Sequence, residues 1–230
     1  MNFGGFQKLT LLDFPGRVAC TLFTKGCNFR CPFCHNAPLV EGGWQTESYS
    51  EEEVLSYLNK RKGVLDGICV TGGEPLMHGG IADFLRKVKA MGYAVKLDTN
   101  GSYPDRLRVL YEEGLIDYVA MDIKNSLERY AETAGCEAEL AAIRASIAFL
   151  MESGIDYEFR TTVVNELHTP EDIGAIAKMI AGAKRYFLQN FVDSGSLIGD
   201  NMTPVDAASI EKMRLAALPL VPSVQIRGQA

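Results

Sequence analysis

The chain has 230 residues, of which 47% are hydrophobic, and a formal net charge of −6. A chain of this length and composition can bury a sizeable hydrophobic core. No stretch approaches the roughly 18 consecutive apolar residues of a membrane span, and the acidic balance disfavours a broad nucleic-acid surface, so we expect neither membrane nor nucleic acid as a partner.

The cysteine content and the N-terminal residues bear on the cellular compartment in which the protein is expected. Six cysteines in 230 residues are too few for a disulfide scaffold. The first residues contain Asp13 and Pro15 and no apolar stretch of signal-peptide length. We therefore expect a reducing environment and a cytoplasmic location.

Short apolar runs alternate with helical patterns along the chain, which is typical of an α/β fold. The runs predict strands near residues 17–23, 67–71, 93–98, 117–123, 156–164 and 185–192, and helices near residues 51–61, 80–91, 104–113, 137–153, 170–181 and 204–216. Ser50 and Glu53 have the spacing of a capping box for the first helix, and Thr203 followed by Pro204 predicts the start of the last one.

The number of strands favours an open barrel. Six βα units, with a further extended piece over residues 224–226, are fewer than the eight strands of a closed (β/α)8 barrel. No Pro/Gly/Ser-rich linker divides the chain. We predict an α/β fold, namely a partial, open TIM-like (β/α)6 barrel, in a single domain over residues 1–230. Two irregular segments, 35–49 and 193–203, are candidate active-site or partner-binding loops.

Three cysteines lie close together in the loop over residues 24–36. Cys27, Cys31 and Cys34 fall within eight residues. A four-iron cluster normally takes four thiolates, so three would leave one iron open to another ligand. Two other interpretations stay open: Cys31 to His35 fits the CxxCH attachment motif of a c-type haem, and the three cysteines with His35 could bind structural zinc.

The other three cysteines have a different sequence context. Cys20 and Cys69 lie in short apolar runs, where a thiol behaves as a small hydrophobe, and we expect both in the core. Cys136 follows Gly135 at the expected start of a helix, with no Cys or His close in sequence. We expect Cys136 to be a bystander.

Polar residues and glycines are concentrated where the predicted strands end, which is where a βα barrel builds its active site. These stretches are Thr71–Pro75, Lys96–Gly101, Met121–Lys124, Glu158–Thr162 and Phe187–Asn190. Alternation along a strand places Asp122 and Lys124 on one face of their strand, and Glu158, Arg160 and Thr162 on one face of theirs. Such a set favours a zwitterionic ligand. Glu74 offers a carboxylate to a cation, the alternative being a solvated Glu in a tight turn.

These motifs resemble those of a known family. Cys27, Cys31, Phe33 and Cys34 match the CxxxCxΦC cluster motif of the radical S-adenosylmethionine (SAM) enzymes, in which Φ is aromatic, and Gly72-Gly73-Glu74 resembles that family's contact with the methionine amine. Within the family, the chain is most similar to the glycyl-radical-enzyme activases, and among these to the activating proteins of anaerobic ribonucleoside-triphosphate reductase. The segments that carry this likeness are Thr10–Gly16, Asp98–Gly101, Asp122–Lys124, Arg160–Val164 and Phe187–Phe191.

The resemblance implies a mechanism and a set of partners. A [4Fe-4S] cluster would reductively cleave SAM to a 5′-deoxyadenosyl radical, which takes a hydrogen atom from a backbone glycine of a partner enzyme. The implied partners are a glycyl radical enzyme, of which anaerobic ribonucleotide reductase is the first choice, and an electron donor such as flavodoxin or ferredoxin.

The resemblance also implies roles for individual residues. Cys27, Cys31 and Cys34 would hold the cluster. SAM would contact Phe33 near the adenine, Gly72, Gly73 and Glu74 at the methionine amine, Asp122 and Lys124 at the polar end or the ribose, and Arg160 at the carboxylate or the ribose. Asp98, with Thr99 and Asp122, would hold a monovalent cation beside the cofactor. Some activases have a histidine where this chain has Gln189, so a ligand contact there is doubtful.

Two other functions remain compatible with these residues. A radical SAM enzyme that modifies a small molecule, such as a deazapurine precursor, would share the cluster loop and the Gly-Gly-Glu segment. A non-enzymatic iron-sulfur or zinc module would leave the polar strand ends unexplained.

Overall fold

The structure is a computed structural model of the chain, and it describes residues 1–40, 48–193 and 195–228. The strands are β1 Asn2–Thr10, β2 Ala19–Thr24, β3 Tyr49–Ser50, β4 Gly67–Gly72, β5 Ala94–Thr99, β6 Tyr118–Asp122, β7 Asp156–Val163, β8 Tyr186–Asn190 and β9 Val224–Arg227. The α-helices are α1 Ala37–Val40, α2 Glu51–Lys60, α3 Ile81–Ala90, α4 Pro104–Glu112, α5 Tyr130–Ala134, α6 Leu140–Glu152, α7 Pro170–Met179 and α8 Ala207–Ala217. Two 3₁₀ turns cover Pro75–Met77 and Leu127–Arg129.

The chain divides into two compact units, each built from separate stretches of sequence. The first contains Met1–Asn28, Pro38–Thr99 and Asp105–Val119, and the second contains Phe29–Ala37, Asn100–Pro104 and Ala120–Ala230. The single-domain assignment made from the sequence stays a prediction.

In the first unit, the strands lie in the order β3-β1-β2-β4-β5. β1 runs antiparallel to β2 and β3, whereas β2, β4 and β5 are parallel to one another. As predicted, Cys20 and Cys69 are fully buried in this sheet, and burial raises the pKa of the Cys20 thiol to about 12. The Cys20 thiol therefore remains protonated at neutral pH, and both side chains pack as small hydrophobes in the core.

In the second unit, β7, β8 and β9 are parallel and lie in that order. The amide of Ile123, directly after β6, donates to the carbonyl of Arg160 on β7 at 2.8 Å. Large apolar side chains such as Tyr157, Phe159 and Tyr186 fill its core. β3 in the first unit and β9 in the second are edge strands, so the α/β sheet is open and not a closed barrel, as predicted.

Most predicted elements are found within a few residues of their expected positions. The capping box of α2 is confirmed, since Ser50 accepts from the Glu53 amide at 3.2 Å and Glu53 accepts from the Ser50 amide at 2.7 Å. The extended piece near residue 225 is confirmed as β9. Four elements were not predicted from the sequence: β1 contains two glycines, and α1, β3 and α5 have only four, two and five residues.

Two expectations about helix starts were wrong. α8 begins at Ala207, where the Asp206 side chain accepts from the amides of Ala208 and Ser209. Thr203 instead donates its amide to the Glu166 carboxylate at 2.9 Å, so it is not a helix cap. Likewise, α6 begins at Leu140, and Cys136 follows the left-handed Gly135 that ends α5.

The helices of the described residues were also compared with the length and hydropathy of a membrane span. None of them is long and apolar enough to cross a bilayer.

Candidate active site

The CxxC part of the cluster loop forms a tight turn. The Cys34 amide donates to the Cys31 carbonyl at 3.0 Å, which places Pro32 and Phe33 at the two central positions, and proline at the first of these is favoured in such turns. Cys31 is buried, whereas Cys27 and Cys34 are half-buried. Cys31 and Cys34 therefore lie at the two ends of the turn.

The segment after β8 supports this turn. The Gly199 amide donates to the Pro32 carbonyl at 2.8 Å, and a Cβ atom at position 199 would lie 2.6 Å from the Pro32 Cβ. Only glycine permits so close an approach. The described part of the 193–203 segment therefore contacts the cluster loop, and the segment stays a candidate site loop. Ser194, and residues 41–47 of the other candidate loop, lie outside the described residues.

A zinc site and a four-iron cluster make different demands on the cysteine loop. A zinc ion needs four ligands within about 2.3 Å of one point, and in the described part of the chain no three His, Cys, Asp or Glu side chains are arranged to hold a single ion. In a four-iron cluster each thiolate binds its own iron. His35 stacks on Phe191 with ring centroids 5.5 Å apart, and burial lowers the pKa of His35.

The Gly-Gly-Glu segment packs against the chain that leads into Cys27. The Gly73 amide donates to the Thr24 carbonyl and the Glu74 amide to the Gly26 carbonyl, each at 2.9 Å. A Cβ atom at position 73 would lie 1.8 Å from the Gly26 oxygen, and Gly72 has a φ of +105°. Both glycines are thus required by backbone packing next to the first cluster cysteine. Their contact with SAM stays a prediction.

Glu74 is fully buried, so the alternative of a solvated turn residue is wrong. Its Oε1 atom accepts from the Leu76 amide at 3.0 Å and from the Thr99 hydroxyl at 2.8 Å. The first bond caps the 3₁₀ turn Pro75–Met77, and the second joins this turn to the end of β5. A contact of Glu74 with the methionine amine stays a prediction.

Asp98 belongs to a buried polar cluster that the sequence did not predict. Its carboxylate is paired with the ammonium of Lys96, which is only 2% exposed. The Cys69 sulfur lies 3.7 Å from the Asp98 carboxylate and 3.8 Å from the Lys96 nitrogen. Lys96 and Asp98 are two residues apart on β5 and share a face, which is the sequence signal that could have identified the pair.

Asp122, Lys124 and Arg160 form one ionic group, as the predicted strand faces suggested. Arg160 donates to one oxygen of Asp122 at 2.8 Å and Lys124 to the other at 3.3 Å. Burial alone would raise the pKa of Asp122, but the charges and hydrogen bonds of Arg160 and Lys124 outweigh it and lower that pKa to about 2. Two cations and one carboxylate leave this group with one net positive charge.

His168 joins Lys124 to Phe33 and was not identified from the sequence, where it is an isolated histidine. Its Nδ1 atom accepts from the Val164 amide at 3.1 Å, so the proton lies on Nε2, which donates to the Lys124 carbonyl at 2.8 Å. The Phe33 ring meets the imidazole edge-on, with centroids 6.4 Å apart. Burial lowers the pKa of His168 despite these hydrogen bonds, so the ring is neutral and rigidly held.

Glu158, expected on the same face as Arg160, has an internal partner. Both of its oxygens bind the guanidinium of Arg227 on β9, at 2.9 and 3.0 Å. That guanidinium lies 3.3 Å from the ring centroid of Phe187. This bidentate pair ties β9 to the rest of the second unit, which is a structural role.

Residues 21–181 match the family model of the radical SAM superfamily. The chain belongs to this superfamily. The matched region includes residues of both units, and membership implies a [4Fe-4S] cluster, SAM as cofactor, and an enzymatic function. In the described residues, the donor set of Cys27, Cys31 and Cys34 agrees with this assignment.

Three individual proteins are similar to this chain in sequence. A protein of Methanocaldococcus jannaschii, provisionally named a glycyl-radical enzyme activating enzyme, is 31% identical over 192 residues, which are 81% of this chain and 78% of that protein. The anaerobic ribonucleoside-triphosphate reductase-activating protein of Escherichia coli is 31% identical over 39% of this chain and 58% of its own length. The 7-carboxy-7-deazaguanine synthase of Methanopyrus kandleri is 28% identical over 48% of this chain and 51% of that protein.

A solved structure shows the same fold. SuiB of Streptococcus suis, bound to the precursor peptide SuiA, superimposes with a TM-score of 0.71 at 14% identity, over 90% of this chain and 48% of that one. The chain thus spans about half the length of this structural relative, and the likeness concerns the fold alone.

Proposed function

We propose that this protein is a radical SAM activase that generates a glycyl radical on a partner enzyme, and that the partner is an anaerobic ribonucleotide reductase. The observation that carries the proposal is the similarity to the M. jannaschii activating enzyme across four fifths of the chain. The E. coli relative supports the choice of reductase. By the same analogy, a flavodoxin or ferredoxin supplies the electron in the cytoplasm.

Different residues of the chain would hold the cluster and SAM. Cys27, Cys31 and Cys34 would hold the cluster, which together with SAM supplies the electron and the hydrogen-abstracting radical. In the second unit, the net positive charge of Asp122, Lys124 and Arg160 suits a carboxylate. In the first unit, Gly72, Gly73 and Glu74 are buried or closely packed beside the residue before Cys27, which supports their predicted place next to the methionine amine.

The monovalent cation predicted at Asp98, Thr99 and Asp122 remains part of the proposal. Carboxylate and hydroxyl oxygens are the donors that such an ion prefers. Asp98 already has Lys96 as a counterion, and Thr99 donates to Glu74. An ion would therefore have to share these oxygens with groups of the protein.

The activase proposal is tested by radical transfer. We expect that cluster-loaded, reduced protein with SAM and an anaerobic ribonucleotide reductase produces the doublet of a glycyl radical in electron paramagnetic resonance (EPR) spectra. Deuterium at the glycine α-carbon of the reductase should appear in 5′-deoxyadenosine. The same assay in sodium, potassium or tetramethylammonium salts tests the cation, and equal rates in all three would remove it.

One control variant and one contrary outcome complete the test. The Cys31→Ala variant should give neither cleavage nor the doublet. If the parent protein cleaves SAM but no glycyl radical enzyme gains the doublet, while a deazapurine precursor takes up the radical, the small-molecule function replaces the activase.

A further inference from the structure

Two backbone carbonyls directly after β6 are bound by side chains from β7 and from the segment that follows it. The Ile123 carbonyl accepts from the Thr161 hydroxyl, and the Lys124 carbonyl accepts from Nε2 of His168, each at 2.8 Å. The strand itself ends at Asp122, so these side chains hold the backbone at positions that follow the strand. The peptide of Lys124 is thus fixed by His168.

His168 is itself held in place. Its Nδ1 atom accepts from the Val164 amide at 3.1 Å, and its own amide donates to the Val164 carbonyl at 3.0 Å. The ring is 3% exposed, and its edge-on contact with Phe33, at 6.4 Å between centroids, lies within the range that aromatic rings prefer. A different rotamer would break both hydrogen bonds of the ring, so the donor to Lys124 has a fixed direction.

The fixed peptide limits the positions that the Lys124 ammonium can reach. The ammonium lies 3.3 Å from one oxygen of Asp122, and Arg160 binds the other oxygen at 2.8 Å. The Lys124 side chain has a long, flexible stem. Such a side chain loses conformational freedom when it binds a ligand, and the loss is smaller when its backbone is already held. His168 therefore affects the binding of any ligand that Lys124 contacts.

We propose that His168 is a positioning residue for SAM, which acts by fixing the Lys124 peptide so that the ammonium is placed to bind the carboxylate or the ribose. This inference rests on the proposed function, since it takes Lys124 as a SAM contact. A neutral imidazole suits the role because one nitrogen accepts and the other donates. An asparagine could accept from Val164 but is too short to donate to Lys124, whereas a glutamine amide extends as far as Nε2.

A double-mutant cycle in cluster-loaded protein tests this role. The variants are His168→Asn, Lys124→Met and the two combined, and calorimetry measures the SAM affinity of each, so the result does not depend on turnover. His168→Gln is the conservative variant, which keeps a donor for Lys124. Tyr186→Phe is the matched control, since it removes a buried hydroxyl whose hydrogen bond is to Thr161. Iron and sulfide content and the melting temperature are measured for every protein.

We expect His168→Asn to bind SAM about fivefold more weakly than the parent, which is the size of effect expected for ordering one long side chain. In the Lys124→Met background, the same substitution should change the affinity by less than about twofold, because the ammonium that His168 positions is gone. His168→Gln should regain most of the parent affinity. Tyr186→Phe should stay within about twofold of the parent.

Three results would overturn the proposal. The first is a SAM affinity of His168→Asn within about twofold of the parent, since independent sites already differ by that much. The second is an equal effect of His168→Asn in the parent and in the Lys124→Met background. The third is no recovery of affinity in His168→Gln.

A further variant and a further outcome keep the test conclusive. If His168→Asn does not fold, His168→Phe takes its place in the cycle, because it keeps an aromatic ring beside Phe33 and lacks the donor to Lys124. A cluster-loaded parent that binds no SAM would overturn both this proposal and the proposed function. The three results above, in contrast, leave the radical-transfer assay unaffected.

Discussion

At the residue scale, Glu74 has a structural role in addition to the functional one predicted for it. The carboxylate is buried, caps the 3₁₀ turn after β4 and accepts from Thr99. These two bonds require only an acceptor oxygen, which a neutral amide would also provide. The predicted contact with the methionine ammonium, in contrast, would use the negative charge.

Glu74→Gln separates the two roles. We expect the variant to fold and bind cluster, because the amide oxygen can keep both hydrogen bonds, but to bind SAM roughly 10- to 150-fold more weakly, as a charge-assisted bond contributes about 1.5–3 kcal/mol. Calorimetry with the cluster intact measures this affinity. Thr99→Val is the matched control, since it removes the bond to Glu74 and leaves the charge. Affinity of Glu74→Gln within about twofold of the parent would limit Glu74 to its structural role.

At the element scale, the cluster loop is held by backbone groups on both of its sides. The Gly26 amide donates to the Leu39 carbonyl at 2.7 Å, and Gly199 donates to Pro32 within the turn. Gly199 has no room for a side chain, since its Cβ atom would lie 2.6 Å from the Pro32 Cβ, and Gly26, next to Cys27, has a φ of +79°, which favours glycine. Each side of the loop is therefore held by a backbone hydrogen bond within its own unit.

Single cysteine substitutions test this loop. We expect Cys27→Ala, Cys31→Ala and Cys34→Ala each to lose the four-iron cluster, because three thiolates already leave one iron without a protein ligand. Cys136→Ala is the control and should retain the cluster, since Cys136 lies outside the turn, after α5. Iron and sulfide analysis of anaerobically reconstituted protein measures the outcome. Normal cluster content in all three variants, or stoichiometric zinc without iron in the parent, would contradict the assignment.

At the scale of the whole molecule, stability should depend on the protonation of buried groups. His168 is 3% exposed, and burial lowers its pKa below the ordinary value of 6.5. The unfolded chain therefore binds a proton at a higher pH than the folded one does. The contribution of His168 to stability is complete above about pH 6.5 and is lost as the pH falls toward the lower folded pKa. Asp122, with a folded pKa of about 2, loses its contribution only below about pH 4.

We expect the melting temperature of cluster-loaded protein to decrease between pH 7.5 and 5.5, and to decrease less in His168→Asn. The loss in the parent is at most about 1.4 kcal/mol for each pH unit inside the window. His78→Gln is the control: it keeps His168, and its melting temperature should decrease as much as that of the parent. His35, whose pKa is also lowered by burial, adds to the loss of stability at low pH in the parent and in both variants. The effect of His168 is therefore the difference between the parent and His168→Asn. Equal pH dependence in the parent and His168→Asn would contradict the prediction.

The sequence by itself determined the features that depend on neighbouring residues. Alternation and helical spacing predicted the central strands and helices, because these periods follow from the local backbone geometry. Ser50 and Glu53 predicted the start of α2 through two hydrogen bonds made within four residues. The spacing of Cys27, Cys31 and Cys34 predicted the cluster motif, since the ligands lie in one short loop. α5 escaped prediction because five residues carry too little periodicity.

Only the tertiary structure decided which distant groups meet. Thr99 lies 25 residues from Glu74, and Arg227 lies 69 residues from Glu158. Thr203 had the sequence context of a helix cap, but its amide and hydroxyl donate to the carboxylate of Glu166, 37 residues away. Hydrogen-bond partners of buried groups are chosen by packing, and packing joins residues whose separation along the chain carries no local signal.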